Sequence, residues 1–417
     1  MASPNISLPR RRSSGLSSHR DCSPMKAFPR CNTFLTGTAV LLVIWFVKSQ
    51  QQLDFINNLK MAEHQIPHYS EFSFISTNPR AQECKPLSSE QVDFTLVTQT
   101  SANRLWLLEE HCRRWGPHPI SVTVGGTDLK EKDVYDQIRA MPSCDLARVK
   151  VNLVTDFQGD LDYPVNRMRN IAVASISTSH AVYVDIDFLM SNRVYDELSA
   201  NRDSMLDVKT ALVMPAFELL PFCELGTIEG NATCTEDHLR VIPSTKKQAG
   251  DRYIAVGAKR YAGGITSFDR KWNRHGHDST DYAAWFNQEE SVLEPLTCVT
   301  SDKYEPYLVF RNCRDVPPFP EDFHGFGQNK MVWVQQLRRA GWKFLRMGGS
   351  FLTHLPHDKS NAFHKWRSTN KAHRINPVND ISESFRRWMI EQVPDRHVVP
   401  YCNASLPPKF IWYSTDS

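Results

Sequence analysis

The chain has 417 residues, 41 % of them hydrophobic, which excludes a peptide and suffices for one large α/β domain or two smaller ones. Its 49 basic residues nearly balance 46 acidic ones, for a net charge of +3. That balance gives no basis for nucleic acid as the main partner.

Residues 1–30 are rich in Ser, Pro and Arg, with Arg10, Arg11, Arg12, Arg20, Lys26 and Arg30 against one acid, Asp21. Such a segment has too little apolar surface to fold alone and is expected as a disordered, basic cytoplasmic tail. "CNTFLTGTAVLLVIWFV" (31–47) carries no charge. It reaches the short end of the about 17–25 residues that a membrane helix needs. The basic flank ahead of it orients the N-terminus toward the cytosol and sends the rest across. A cleaved signal peptide fits less well, because the n-region is long and no A-x-A-like site follows. A core helix would keep a polar face. The run is therefore read as a single-pass signal anchor, with residues 48–90 as a luminal stem, 91–400 as the folded domain and 401–417 as a C-terminal tail.

Eight cysteines lie beyond the apolar run: Cys84, Cys112, Cys144, Cys223, Cys234, Cys298, Cys313 and Cys402. An even count past a membrane anchor permits a disulfide framework, and Cys223 and Cys234 are spaced to close a short loop. There is no C-x-x-C pair to suggest structural zinc. Asn231 and Asn403 stand in acceptor sequons for luminal glycosylation, whereas Asn5 would face the cytosol.

"VDFTLVTQT" (92–100) predicts the first strand. Ser101 is expected to cap a helix through Trp115, in which Leu105, Leu108, Cys112 and Trp115 share a face and Gly116 is the stop. "PISVTVGG" (119–126) and "ARVKVNLVT" (147–155) predict two more strands. Pro164 opens a helix with Val165, Met168, Ala172 and Ile176 on one face. "AVYVDIDFLM" (181–190) predicts the next strand, followed by strands at 210–219 and 304–310 and a helix at 328–341 ended by Gly341. Strands alternating with helices argue for a mainly parallel mixed sheet flanked by helices. Ligands of such sheets bind at the carboxyl ends of the strands.

Asp185 and Asp187 stand at such an end, two residues apart in apolar text. On an extended chain, residues i and i+2 point the same way, so the carboxylates should converge. Two such charges repel and are costly to bury unpaired. A hard divalent cation resolves this by taking their oxygens. A solvated strand end is the plain alternative, weakened by the apolar approach "AVYV".

With those residues in view, "YPVNRMRNIAVASISTSHAVYVDIDFLM" (163–190) resembles the glucuronyltransferase domain of the LARGE family and its relative β-1,4-glucuronyltransferase 1. The likeness runs in order through "FTLVTQTSANRLWLLEEHCRRW" (94–115), "VMPAFE" (213–218), "HGHDSTDYAAW" (275–285), "YEPYLVF" (304–310), "FHGFGQNK" (323–330) and "FLTHLPH" (351–357). It implies a GT-A, nucleotide-diphospho-sugar transferase fold in a type II Golgi membrane enzyme with a D-x-D metal site. It also implies inverting transfer of a sugar, with glucuronic acid the first expectation, from a UDP-sugar to a glycan or glycoprotein acceptor.

The resemblance assigns Asp185, Asp187 and His354 to Mn²⁺ or Mg²⁺, with His357 as the competing ligand. It places Thr98, Gln99, Arg104, Asn166, Arg169, Asn170, Asp185 and Ile186 at the donor, and His277, Thr280 and Trp285 around the sugar and acceptor. Inversion needs a general base for the acceptor hydroxyl. "GFGQN" offers Asn329, which cannot serve, so Glu305 comes first, with Glu321 and Asp322 next. Arg260, Lys330 and Lys359 are the cations available to a donor carboxylate. Competing readings are another donor such as UDP-xylose or UDP-GlcNAc, an inactive luminal glycan-binding or scaffold protein, and a metal-dependent phosphohydrolase. The last would want further acids on later strand ends, and the sequence shows no comparable set.

Overall fold

A computed structural model describes residues 67–159, 162–223, 232–270, 273, 275–357, 363–364, 367–368 and 377–402. The expected N-terminal tail, the apolar run 31–47, residues 48–66 of the expected stem, Asn231 and Asn403 of the two luminal sequons, and Lys359 lie outside the described residues. Among the described residues, no helix is long and apolar enough to cross a membrane.

The strands are β1 (Phe94–Ser101), β2 (Ile120–Gly125), β3 (Val149–Val154), β4 (His180–Tyr183), β5 (Phe188–Met190), β6 (Thr210–Met214), β7 (Ala216–Leu219), β8 (Ile265–Ser267), β9 (Glu294–Pro295), β10 (Tyr307–Arg311), β11 (Lys343–Arg346) and β12 (Leu352–His354). They form an eight-stranded sheet in the order β3-β2-β1-β4-β10-β6-β11-β9 and a four-stranded sheet in the order β5-β12-β7-β8. β3, β2, β1 and β4 are mutually parallel, while β10 runs antiparallel to both β4 and β6. Strands β1, β2 and β4 are almost wholly buried, as expected where both sheet faces are covered. The helix Val165–Ala174 packs across β1 and β2.

The predicted single strand at 181–190 is two strands in two sheets. β4 stops at Tyr183, and Val184–Asp187 make the crossing, with the Phe188 N–H donating to the Asp185 carbonyl at 2.9 Å. The stretch 210–219 switches sheets in the same way. Pro215 separates β6 from β7, and it has no N–H to continue a ladder. A third switch joins β11 to β12 through residues 347–351. The crossings are laced together, since the Met347 N–H donates to the Val213 carbonyl and the Leu352 N–H to the Pro215 carbonyl. A seam between the two sheets results, and the acid pair lies on it.

Two smaller departures are local. The chain after Ser101 opens as a 3₁₀ turn, Ala102–Leu107, before the α-helix Leu108–Trp115. The Ser101 hydroxyl bonds to Asn103 instead of capping a backbone N–H. Gly116 (φ 77°) and Gly341 (φ 93°) end their helices in the left-handed region, as their positions predicted.

The chain packs onto the domain from Pro67 onward, ahead of the boundary expected near residue 91. Phe74 is buried against Phe385 and Trp388 of the helix Pro377–Gln392. Cys84 bonds to Cys313, and Cys112–Cys144, Cys223–Cys234 and Cys298–Cys402 complete four disulfides. The expected framework therefore uses all eight cysteines, including the predicted short loop.

Candidate functional site

The turn between β4 and β5 gives each aspartate its own surroundings. Tyr183 and Tyr307 donate their hydroxyls to Asp185, the latter at 2.8 Å. Arg169, from the helix Val165–Ala174, reaches the same carboxylate at 3.2 Å. Lys330 stands 3.9 Å from it and 3.6 Å over the Tyr307 ring. Burial pushes the Asp185 carboxyl up, but Arg169 and Lys330 outweigh it and hold the group below the usual range.

Asp187 faces the other way. Its Oδ2 lies 2.9 Å from His357 Nε2, 3.0 Å from Arg104 and 3.8 Å from His354 Nε2. The two Nε2 atoms are themselves 3.2 Å apart. Burial pushes the Asp187 carboxyl up, yet hydrogen bonds and charge from His354 and His357 hold it well below the ordinary range. The register puts His354 opposite Phe188 on β5, so β12 delivers the imidazole to the far end of the turn.

One carboxylate and two imidazoles thus converge, with their ligand atoms within 4.8 Å of one another. His354 Nδ1 is buried without a hydrogen-bond partner, so its tautomer is free to present Nε2 as a lone pair. A set of two nitrogens and one oxygen suits manganese better than magnesium. Asp185 stands outside this group. The turn breaks the two-residue alternation on which the expected convergence depended, and the two carboxylates take different partners. His357 joins beside His354, so the two are not alternatives in space. A second cluster, Cys223, Cys234 and His238, is spent in a disulfide.

Glu305 lies on the Asp185 side. Asn273 donates to it at 2.9 Å, and burial pushes its carboxyl up, against the pull of Lys330. Burial likewise pulls the Lys330 ammonium down, despite Asp185 and Glu305. His277 is buried close by, its Nε2 without a partner and its ring 5.3 Å from that of Phe268, which also packs on His354. Burial holds His277 well below the ordinary imidazole range.

The other expected site residues divide. Gln99 accepts from Tyr163 at 2.5 Å, and Thr98 is fully buried with its hydroxyl unpartnered among the described residues. Ile186 is buried between the aspartates. Asn166 and Asn170 hold backbone carbonyls of Pro320 and Phe319 and so brace the 319–321 segment. Glu321 is taken by Arg80 and Asn170, and Asp322 by the Ser73 N–H, so both carboxylates face the early segment of the chain. Trp285 has no exposed surface, and its N–H donates to the Met347 carbonyl. A ring so enclosed is core and cannot stack on a sugar. Thr280 is equally buried, against Tyr304. Arg260 is exposed on the loop before β8. Sequence reasoning missed Tyr183, Tyr307, Asn273 and His111, whose partners are brought in by remote elements.

Comparison with known proteins agrees in kind. Residues 146–387 match the family described as glycosyl-transferase for dystroglycan. Xylosyl- and glucuronyltransferase LARGE2 of Mus musculus is 32% identical over 289 residues, covering 68% of this chain and 37% of the relative. LARGE1 of Homo sapiens is 28% identical over 305 residues, covering 72% of this chain and 36% of that one. The chain thus spans little more than a third of the length of the curated relatives it matches. Among solved structures, GalNAc-T7 with UDP, GalNAc and Mn²⁺ is similar at 13% identity and a TM-score of 0.38, covering 76% of this chain and 60% of that one. S. aureus TarS with UDP is similar at 9% identity and a TM-score of 0.33, covering 72% of each chain. The matched stretch takes in more than half of the chain, with both aspartates and both histidines inside it, and the chain belongs to the glycosyltransferase family so described.

Proposed function

We propose that this family member is a metal-dependent, inverting GT-A enzyme that moves glucuronic acid from UDP-glucuronate to a glycan acceptor. The observation that carries the reading is the convergence of Asp187, His354 and His357 on the seam beside the end of β4. Asp187, His354 and His357 would hold Mn²⁺ (or Mg²⁺), which when bound supplies Lewis-acid stabilisation to the departing diphosphate.

The chain's own groups supply the rest. Arg104 offers a planar cation to the diphosphate, and Thr98 and Gln99 border the end of β1 where uridine would lie. Asp185, fixed by two tyrosines, Arg169 and Lys330, is a rigid acceptor for donor hydroxyls. Glu305 is the general base. Its carboxylate takes the proton of the acceptor hydroxyl while that oxygen bonds to the anomeric carbon and the bond to the UDP oxygen breaks on the opposite face. Burial raises its proton affinity above that of an ordinary carboxylate, which suits the task. Lys330, beside both Asp185 and Glu305, is the cation placed for a uronate carboxylate.

The reading extends to residues 31–47 as the anchor of a Golgi type II protein. Four disulfides among the described residues support an oxidising compartment for the domain. The test is to incubate the purified protein with UDP-glucuronate, UDP-xylose and UDP-N-acetylglucosamine and Mn²⁺, with and without EDTA, and to measure UDP release and transfer. EDTA-sensitive turnover of UDP-glucuronate is expected. Turnover of UDP-xylose alone would replace the donor and keep the class, and UDP release from none of the three would overturn the reading.

A further inference from the structure

Arg104 lies within the short 3₁₀ turn Ala102–Leu107 that follows β1. Its NH1 is 3.0 Å from Asp187 Oδ2, and its NH2 is 3.1 Å from His357 Nδ1. A guanidinium only donates, so Nδ1 of His357 accepts and the ring hydrogen of the neutral imidazole sits on Nε2. That hydrogen points at Asp187 Oδ2, 2.9 Å away. One arginine therefore occupies the carboxylate oxygen and, through the tautomer, removes the lone pair of His357. Two of the three candidate ligand atoms are engaged together. His354 Nε2 lies 3.2 Å from that same His357 nitrogen and can only accept from its hydrogen, so the ring hydrogen of His354 sits on the unpartnered Nδ1.

We infer that Arg104 and a divalent cation are alternative partners of Asp187 and His357, so that the metal binds tightly only with an anion that draws the arginine away. This rests on the metal reading above. A nucleotide diphosphate is the anion that fits, since a guanidinium matches paired phosphate oxygens with two parallel hydrogen bonds. Metal and nucleotide then bind with positive coupling, and the coupling is reciprocal. Arg104 is a positioning residue that sets the order in which the site fills.

The experiment is Mn²⁺ titration of the full chain, followed by the electron paramagnetic resonance of free Mn²⁺, with and without UDP. The wild type should bind Mn²⁺ weakly alone and on the order of tenfold or more tightly with UDP. Arg104→Gln should tighten the binding of Mn²⁺ alone by on the order of tenfold and shrink the coupling. Arg104→Lys keeps the charge but cannot reach both partners, and should fall between the two. A folded R104Q with unchanged affinity for Mn²⁺ alone overturns the inference. Should R104Q fail to fold, R104K with wild-type affinity for Mn²⁺ alone does the same. If wild type and variants bind no Mn²⁺ even with UDP, the metal reading falls and this inference with it. Mn²⁺ binding that is equally tight with and without UDP removes the inference and leaves the metal reading standing.

Discussion

His111 Nε2 lies 2.9 Å from the carbonyl oxygen of Ile186, the residue between the two aspartates. The carbonyl can only accept, so the imidazole donates. The ring is fully buried, and burial pulls its pKa down to about 4, so the neutral form is the working one. The helix Leu108–Trp115 thereby pins the turn that aims Asp185 and Asp187 in different directions. His111→Ala leaves a buried carbonyl unpaired, at a cost of about 1–3 kcal/mol. It should also lower metal affinity or turnover by about 10–100-fold, as loss of an outer support for a metal site does. His111→Gln, which can still donate, should recover part of both. Denaturant unfolding and Mn²⁺ affinity are the measurements, and an H111A protein with native metal affinity would remove the positioning role.

The two aspartates should fail differently. Asp185 balances Arg169 and Lys330, whose side chains are each 5% exposed. Asp185→Asn strands that charge, and breaking such a buried pair costs about 3–5 kcal/mol. Asp187→Asn leaves Arg104, at 21% exposure, nearer to solvent, so less stability is lost. Turnover should instead fall by at least about a hundredfold, the scale for removing one electrostatic stabiliser, and Mn²⁺ should no longer raise the melting temperature. Equal stability loss in the two variants would contradict the division of roles.

Much of the sheet was legible because its strands are short apolar runs bounded by Gly, Pro and polar residues. The exchange of strands between sheets was not. "AVYVDIDFLM" reads as one apolar run interrupted only by the two acids, and only its pairing with β12, more than 150 residues away, splits it. The histidines posed a similar difficulty. "THLPH" names two, and distance alone shows that both reach Asp187. Composition misled at the start of the domain, where polar text around residues 67–91 hides Phe74 and Cys84, whose partners Phe385 and Cys313 are remote in the sequence. Trp285 shows the opposite case, in which a residue of a resembling motif is core, the commoner place for a mid-domain aromatic.

Glu305 supplies a pH test of the base assignment. The base must be deprotonated, and burial raises its proton affinity. The acidic limb of kcat/KM should therefore rise with pH through a value above the ordinary range of a glutamate. Glu305→Gln should flatten that limb and lower kcat by about 10²–10⁴-fold while UDP affinity stays near wild type. If E305Q retains both the rate and the limb, the base lies elsewhere, and Glu321 and Asp322 become the next variants to make.

Acid should also act on the fold at a place remote from chemistry. His180 starts β4 fully buried, with Nε2 3.1 Å from the Met205 carbonyl and Nδ1 2.8 Å from the Ser179 hydroxyl. Burial, helped by the charge of Arg311, pulls its pKa from 6.5 to about 4. The unfolded chain therefore binds a proton that the folded chain refuses. Stability is complete above pH 6.5 and drains away as pH falls toward 4, by roughly 3 kcal/mol at the low end. His180→Asn can keep a donor to Met205 but cannot take up the proton. Its stability at neutral pH should be lower, and the loss between pH 6.5 and 4 should be smaller than in the wild type by about that amount. Urea unfolding at intervals across that range checks it, and parallel curves for the two proteins would show that His180 is not the group responsible.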